Sequence, residues 1–170
     1  MTPLKDTILA FCKWCNESPF GHTIRDSVWL FPFVEIFHLL ALAMLGATVI
    51  ILNMRLLGVR FTGDPVPMLA RDLRPWMAGS IVVMLISGFL LFSTEAVKMY
   101  GNWAFQLKMT FLVLAILFTF TVHWRVTSRD SAPVVLRWLT AIVSLLLWLG
   151  VGLGGRAIGY VTTAASSVTP

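Results

Sequence analysis

The chain has 170 residues, of which 58% are hydrophobic and only 12% are charged, and its mean hydropathy is +0.84. A soluble domain of this length needs more polar residues to cover its surface, so the composition excludes a soluble globular protein and indicates an integral membrane protein. The net charge of +5 comes mostly from basic residues just outside the apolar segments, where they attract lipid headgroups, and this argues against nucleic acid as a partner.

The N-terminal segment, residues 1–22, is predicted to form a short amphipathic helix on the membrane surface. Cys12 and Cys15 form a C-x-x-C pattern, which occurs in thiol–disulfide exchange and in soft-metal sites. No histidine follows Cys15 directly, so covalent haem attachment is excluded, and the sequence has no second cysteine pair. We therefore interpret this pair as structural or incidental. The apolar positions of the helix recur at helical spacing and are Leu4, Ile8, Phe11, Cys12 and Cys15.

Two apolar segments follow that are long enough to cross a bilayer as helices. The first covers residues 27–57 and ends near Gly58, where glycine favours helix termination. The second is predicted to begin at Pro75, which suits a first helical turn, and to continue to about Thr94.

The third and fourth predicted spans complete the bundle. Span three covers residues 103–124 and has a tryptophan at each end, as interfacial aromatic belts do. Span four covers residues 134–152 and is predicted to be broken by the sequence GLGGRAIG. Residues 23–155 are thus predicted to form an all-α, integral membrane four-helix bundle, and residues 156–170 a flexible C-terminal tail.

Basic residues near the span ends predict the orientation. The loops between spans one and two and between spans three and four hold more arginines than the other side, so they are expected in the cytoplasm. Both termini would then be periplasmic in a bacterial inner membrane. The arginines of these two loops are Arg55, Arg60, Arg71, Arg74, Arg125, Arg129 and Arg137.

With this topology, charged and imidazole side chains from several segments fall in the outer part of the bundle. An ionised residue within a bilayer costs at least ~2.5 kcal/mol, so such residues usually face the bundle interior and pair. Glu35 and Lys108 have matching depths and opposite charges, and we predict that they form an ion pair. The residues at this level are His22, Glu35, His38, Glu95 and Lys108.

His38 is predicted to be the principal ligand or proton-transfer residue, because an imidazole binds metals when neutral and exchanges protons near neutral pH. The alternatives stay open: His38 can donate a purely structural hydrogen bond to a neighbouring helix, and Lys108 can extend to the headgroups. His123 lies beside Trp124 at the inner end of span three, so we interpret it as an interfacial residue. His38 and His123 are too far apart in depth to hold one haem together.

Several motifs resemble a group of uncharacterised four-helix bacterial inner-membrane proteins that carry a domain of unknown function. The likeness covers residues 24–155. Its most specific parts are W-x-F-P-x-x-E-x-x-H, R-L-L-G, and E-A-x-x-x-Y-x-N-x-x-F-x-x-K. The resemblance implies the fold but no activity. In helix count and scattered histidines, the chain is also loosely similar to copper-resistance membrane proteins and small b-type cytochromes.

The sequence thus predicts an accessory membrane protein whose outer pocket, built from Glu35, His38, Glu95 and Lys108, binds a small cofactor, a quinone or a metal ion. Haem b would need a second axial ligand besides His38, for which His22 or a methionine is available. One alternative is a proton- or ion-conducting element in which Glu35 and His38 relay protons. Another is a structural subunit of a larger complex or a homo-oligomer. No catalytic residue is assigned, and enzymatic activity stays open.

Overall fold

In the computed structural model, which describes residues 3–60, 63, 65–129 and 132–166, every regular element is a helix. Four of these helical stretches are long and apolar enough to cross a membrane, which confirms the predicted all-α four-helix membrane bundle with an N-terminal helix. The helices are α1 (Pro3–Asn16), α2 (Pro19–Asp26), α3 (Leu30–Leu56), α4 (Val66–Thr94), α5 (Ala96–Tyr100), α6 (Trp103–Phe118), a π-helical turn (Thr119–His123), α7 (Trp124–Thr127) and α8 (Val134–Ser166).

The bundle places α3 and α6 at diagonal positions. α3 packs along α4 on one side and along α8 on the other, whereas α6 packs along α8. α6 meets α4 near one end, where the rings of Phe92 and Phe105 stack with centroids 5.4 Å apart. The order around the bundle is therefore α4, α3, α8, α6. Its apolar core comprises Ala41, Leu45, Val49, Leu52, Ala70, Met77, Ile81, Met84, Leu112, Ala115 and Val151.

The short helices α1, α2 and α5 lie at one end of the bundle, which we call the outer end. α1 packs against α5, and α2 packs against α4. A β-carbon at Gly21 would lie 2.8 Å from the carbonyl oxygen of Ser93, so only glycine lets α2 approach the end of α4 this closely. The N-terminal segment is thus part of the folded bundle end.

The ends of α3 and α4 follow from glycine and proline. Gly58 adopts a φ of +74°, the left-handed conformation that terminates helices, as the sequence predicts. α4 begins at Val66 after Pro65, so the predicted start at Pro75 is wrong and Pro75 lies inside the helix. Pro75 removes one backbone N–H donor, but packing against neighbouring helices keeps the helix continuous.

The predicted break in span four is also wrong, because α8 continues through the glycine-rich sequence to Ser166. Here glycines allow close contact with α6. A β-carbon at Gly150 would lie 2.7 Å from the ring of Phe111, and one at Gly154 would lie 3.0 Å from Cβ of Lys108. Each glycine costs about 1 kcal/mol of helix propensity, and the tight α6–α8 packing offsets that cost. Residues 156–166 of the predicted tail are therefore helical, and residues 167–170 lie outside the described residues.

Candidate functional site

His38 lies half-buried between α3 and α4, near the outer end of the bundle. Its Nδ1 is 2.9 Å from Oγ of the buried Ser87. The Ser87 hydroxyl donates its hydrogen to the carbonyl oxygen of Val83 at 2.6 Å, so in the contact with His38 the serine oxygen accepts and Nδ1–H donates. In the neutral ring this leaves Nε2 with its lone pair.

Gly88 completes the surface on which the His38 ring rests. A β-carbon at Gly88 would lie 3.2 Å from Cε1 of His38, tighter than ordinary van der Waals contact. The Ser87–Gly88 pair therefore holds the ring by one hydrogen bond and one close contact. The sequence signal for this was a serine followed by glycine in an otherwise apolar span.

Lys108 reaches the same level from α6. Its aliphatic chain packs over Gly154 and Gly155 of α8, and Nζ would be 3.7 Å from a β-carbon at Gly155. The ammonium group acts electrostatically on the His38 ring. Among the described residues, no carboxylate lies within ion-pair distance of Lys108 and no group accepts a hydrogen bond from it. We call His38, Ser87 and Lys108 the outer layer.

The predicted Glu35–Lys108 ion pair is not formed. The Glu35 side chain is exposed on α3, and the structure gives it no hydrogen bond or ion pair with a described residue. The reason is that Glu35 lies on the exposed side of α3, so equal depth does not bring its carboxylate to Lys108. Glu35 and His38 are one turn apart, but only His38 reaches the helix interface.

Glu95 and His22 also lie apart from the outer layer. Glu95 follows the last residue of α4, and its carboxylate pairs with Lys98 at 3.1 Å; both side chains are about half exposed. His22 is exposed on α2. Of the five predicted site residues, the structure therefore brings together only His38 and Lys108.

The donor set of the outer layer does not fit a metal ion. Metals are held by several imidazole, thiolate or carboxylate ligands, and the described residues contain no cluster of three or more His, Cys, Asp or Glu side chains. Here a single imidazole lies next to an ammonium group, which repels a cation. The hypothesis of a metal or haem bound by His38 is therefore not supported.

His123 is buried inside the bundle, so its interpretation as an interfacial residue is wrong. Its side chain is 3% exposed, and Nε2 donates to Oδ1 of Asn53 at 3.2 Å. The Asn53 amide nitrogen donates in turn to the carbonyl oxygen of Val49 at 2.8 Å and to Oγ of Ser144 at 3.1 Å. We call His123, Asn53 and Ser144 the inner layer. An asparagine within an apolar span was the sequence signal for it.

The π-helical turn belongs to this inner layer. It contains both Thr119 and His123, and both are buried. The indole nitrogen of Trp148 donates to Oγ of Thr119 at 3.3 Å, and the Thr127 hydroxyl donates to the carbonyl oxygen of His123 at 2.8 Å. Such turns widen the helix locally. Here the Thr119 hydroxyl and the His123 carbonyl oxygen each accept a hydrogen bond from a side chain, of Trp148 and Thr127 respectively.

The two layers are far apart along the bundle axis. His38 and Asn53 are fifteen residues apart on α3, which corresponds to ~22 Å at the rise of an α-helix. Apolar core residues occupy the space between, including Leu45, Met84 and Leu112. His38 and His123 therefore cannot share a ligand, as the sequence predicts.

The cysteine pair is buried at the outer end. Cys12 and Cys15 are 3% and 1% exposed and pack under Ala96, Phe92 and Tyr100. Burial raises the pKa of both thiols, and the nearby Cys12 raises that of Cys15 further. Both are therefore protonated at neutral pH, which disfavours thiol exchange and agrees with a structural interpretation.

Comparison with known proteins gives a match to a family model. No significant match to the chain was found among curated proteins or among solved structures. A family model does match residues 11–161, which include both layers and all four spans. The chain therefore belongs to DUF6644, a family of unknown function.

Proposed function

We propose that this protein is an accessory membrane protein that binds a small oxygen-bearing molecule of the quinone class in its outer layer. The observation that carries the proposal is the convergence of the His38 imidazole and the Lys108 ammonium, with no acidic partner from the described residues. Lys108 can donate to a ligand oxygen. Nε2 of His38 can accept a hydrogen bond from a quinol hydroxyl, since Ser87 occupies Nδ1.

An apolar groove next to this layer supports a ligand with a hydrophobic tail. The groove has a volume of about 590 Å³ and lies between α3 and α4. Its lining includes Phe37, which precedes His38 in the sequence, and Val83, one turn before Ser87, but none of the three outer-layer residues. Lipid-soluble quinones carry an apolar tail that could lie here while the polar head meets His38 and Lys108. The groove is lined by Phe37, Leu40, Ala41, Met44, Pro75, Trp76, Gly79, Ser80 and Val83.

A proton relay through Glu35 and His38 is the less favoured hypothesis. Glu35 is exposed, and the apolar core separates the outer layer from the inner layer. The hypothesis of a structural subunit has one observation in its favour: Glu35 is an acid on the outside of a spanning helix with no partner among the described residues. A carboxylate in that position is stabilised if another chain supplies a cation.

Quinone binding is tested on protein purified in mild detergent. Extraction should recover a quinone, and a short-chain quinol should quench tryptophan fluorescence in a saturable manner. Lys108→Met and His38→Gln should each weaken binding about tenfold, as loss of a hydrogen bond to a charged or buried group does. His22→Gln and Lys98→Met are matched controls, because they change an exposed histidine and lysine at the same bundle end. Saturable binding that survives both site variants would contradict the proposal.

We also propose that the outer end faces the periplasm, in agreement with the arginine-rich loops at the other end. Alkaline phosphatase fused after Pro170 should then be active, and a fusion within residues 58–74 inactive. The reverse pattern would place the His38 layer near the cytoplasm.

A further inference from the structure

A cleft opens at the inner end of the bundle, far from the outer layer. It lies where α7 ends and α8 begins, and its volume is about 330 Å³. Two arginines and an otherwise apolar set of side chains form its walls. The lining residues are Val122, Arg125, Val126, Arg129, Ala132, Pro133 and Leu136.

The two arginines of this cleft make no polar side-chain contact within the part of the chain that the structure describes. Arg125 lies on α7 and Arg129 just after its end, and both side chains line the cleft. Both are exposed, and neither guanidinium makes a hydrogen bond or an ion pair with a described residue. Two cations that line one cleft repel each other, and with no counter-ion among the described residues they favour an anion between them.

Arg74, a third arginine at this end, differs because it serves the fold. Its guanidinium donates to the carbonyl oxygen of Trp124 at 3.1 Å and to Oγ of Ser128 at 2.5 Å, and it lies 4.5 Å from the centre of the Trp124 ring. This fixes α7 against α4. Arg74 thus has its hydrogen-bond partners within the bundle, whereas the guanidiniums of Arg125 and Arg129 have none among the described residues.

The apolar residues that line the cleft indicate which kind of anion it binds. Val122 and Leu136 are exposed large side chains on two spanning segments, so they face lipid in a membrane. The buried Val126 and the partly buried Ala132 also line the cleft. A site with two cations at its polar end and aliphatic walls toward the bilayer matches an amphiphile with an anionic head.

We propose that this cleft binds an anionic phospholipid. The Arg125 and Arg129 guanidiniums hold the phosphate, for which their planar donor pairs are suited, and an acyl chain lies along Val122 and Leu136. The site is independent of the quinone proposal, since it shares no residue with the outer layer. It makes stability depend on the lipid composition of the membrane.

The test compares purified protein in nanodiscs of phosphatidylcholine alone and of phosphatidylcholine with phosphatidylglycerol. The wild type should have a higher Tm with phosphatidylglycerol, and native mass spectrometry should detect one retained phosphatidylglycerol. Arg125→Gln with Arg129→Gln should reduce that retained lipid about tenfold and remove most of the Tm difference. Arg60→Gln with Arg71→Gln is the matched control, because it removes the same charge from exposed positions at the same end.

Three results would overturn the proposal. The first is a wild type with no preference for phosphatidylglycerol. The second is an equal loss in the control double variant, which would mean diffuse attraction to the whole basic end. The third is an equal Tm gain from inorganic phosphate in phosphatidylcholine nanodiscs, which would mean a site for free phosphate. Should the glutamine variant fail to fold, Arg125→Lys with Arg129→Lys keeps the charge without the planar donor pair and should retain less lipid than the wild type.

Discussion

The two histidines of the bundle interior occupy opposite kinds of environment. His123 is almost completely buried, and its amide partner Asn53 uses both nitrogen hydrogens and its oxygen within the bundle. His38 is half-buried, and its ring contacts the Ser87 hydroxyl and the backbone of Met84, beside a lysine with no acidic partner among the described residues. A polar group whose hydrogen bonds are complete stabilises helix packing, whereas one with remaining capacity is available to a ligand.

The largest expected effect of this difference concerns Asn53. Asn53→Ala removes three hydrogen bonds from the inner layer and leaves the Nε2–H of His123 without a partner. Interhelical hydrogen bonds in membranes are worth ~0.6 kcal/mol each, so we expect a loss of about 2 kcal/mol in the free energy of unfolding. Reversible unfolding in mixed micelles measures it. If Asn53→Ala lowers the free energy of unfolding only as much as Ser87→Ala does, the inner layer does not stabilise the bundle more than the outer layer.

A second prediction concerns the contact of His38 with the α4 backbone. In Gly88→Ala the added methyl group would lie 3.2 Å from Cε1 of His38 and displace the ring from Ser87. We expect quinol binding to weaken about tenfold, the effect of losing one well-placed hydrogen bond, with the inner layer unaffected. Gly46→Ala on α3 is the control, because a β-carbon there meets nothing within 4 Å and Gly46 does not line the groove. Equal affinities of the two variants would mean that the ligand does not contact His38.

Ser87→Ala should have a smaller effect on stability, about 0.6 kcal/mol, since one hydrogen bond to a half-buried ring is lost. The ring proton should then leave Nδ1. Nitrogen-15 NMR of labelled histidines distinguishes the two tautomers. The wild type is expected to have Nδ1–H at His38 and Nε2–H at His123, and only the His38 signal should change in the variant. A wild type with the same tautomer at both histidines would contradict the hydrogen-bond assignments.

The apolar segments alone were sufficient to predict the four spans, because a bilayer requires long apolar helices. The glycine-rich part of α8 was predicted to break the helix because glycine has a low helix propensity. Propensity does not include tertiary packing, such as the close contact of α8 with α6 at Gly154. His123 was placed at the membrane interface by its neighbour Trp124. The sequence did not indicate that α4 would begin at Val66 and extend far enough for Arg74 to cover that end of the bundle.

The sequence also does not show which helices are neighbours, and for this reason the five predicted outer residues were not found together. Sequence position gives the depth of a residue in the membrane, but not which helices are neighbours. Lys108 acts electrostatically on His38 although the two lie on different helices, and Ser87 was identified as the hydrogen-bond partner of His38 only by the structure. Glu95 was at the correct end but forms a local pair with Lys98.

The smallest expected effect is the energetic coupling between Glu35 and Lys108, the ion pair that was predicted wrongly from depth and charge. If Glu35 and Lys108 touched, each single substitution would leave a charge uncompensated, and Glu35→Gln would restore part of what Lys108→Met lost. Because Glu35 lies on the exposed side of α3, we expect the two effects to add, with a coupling energy below about 0.5 kcal/mol. A double-mutant cycle of unfolding free energies in one detergent measures this. A coupling well above that value would mean that the Glu35 carboxylate reaches the outer layer in the membrane, and the unpaired Lys108 ammonium on which the quinone proposal depends would then have a partner within the chain.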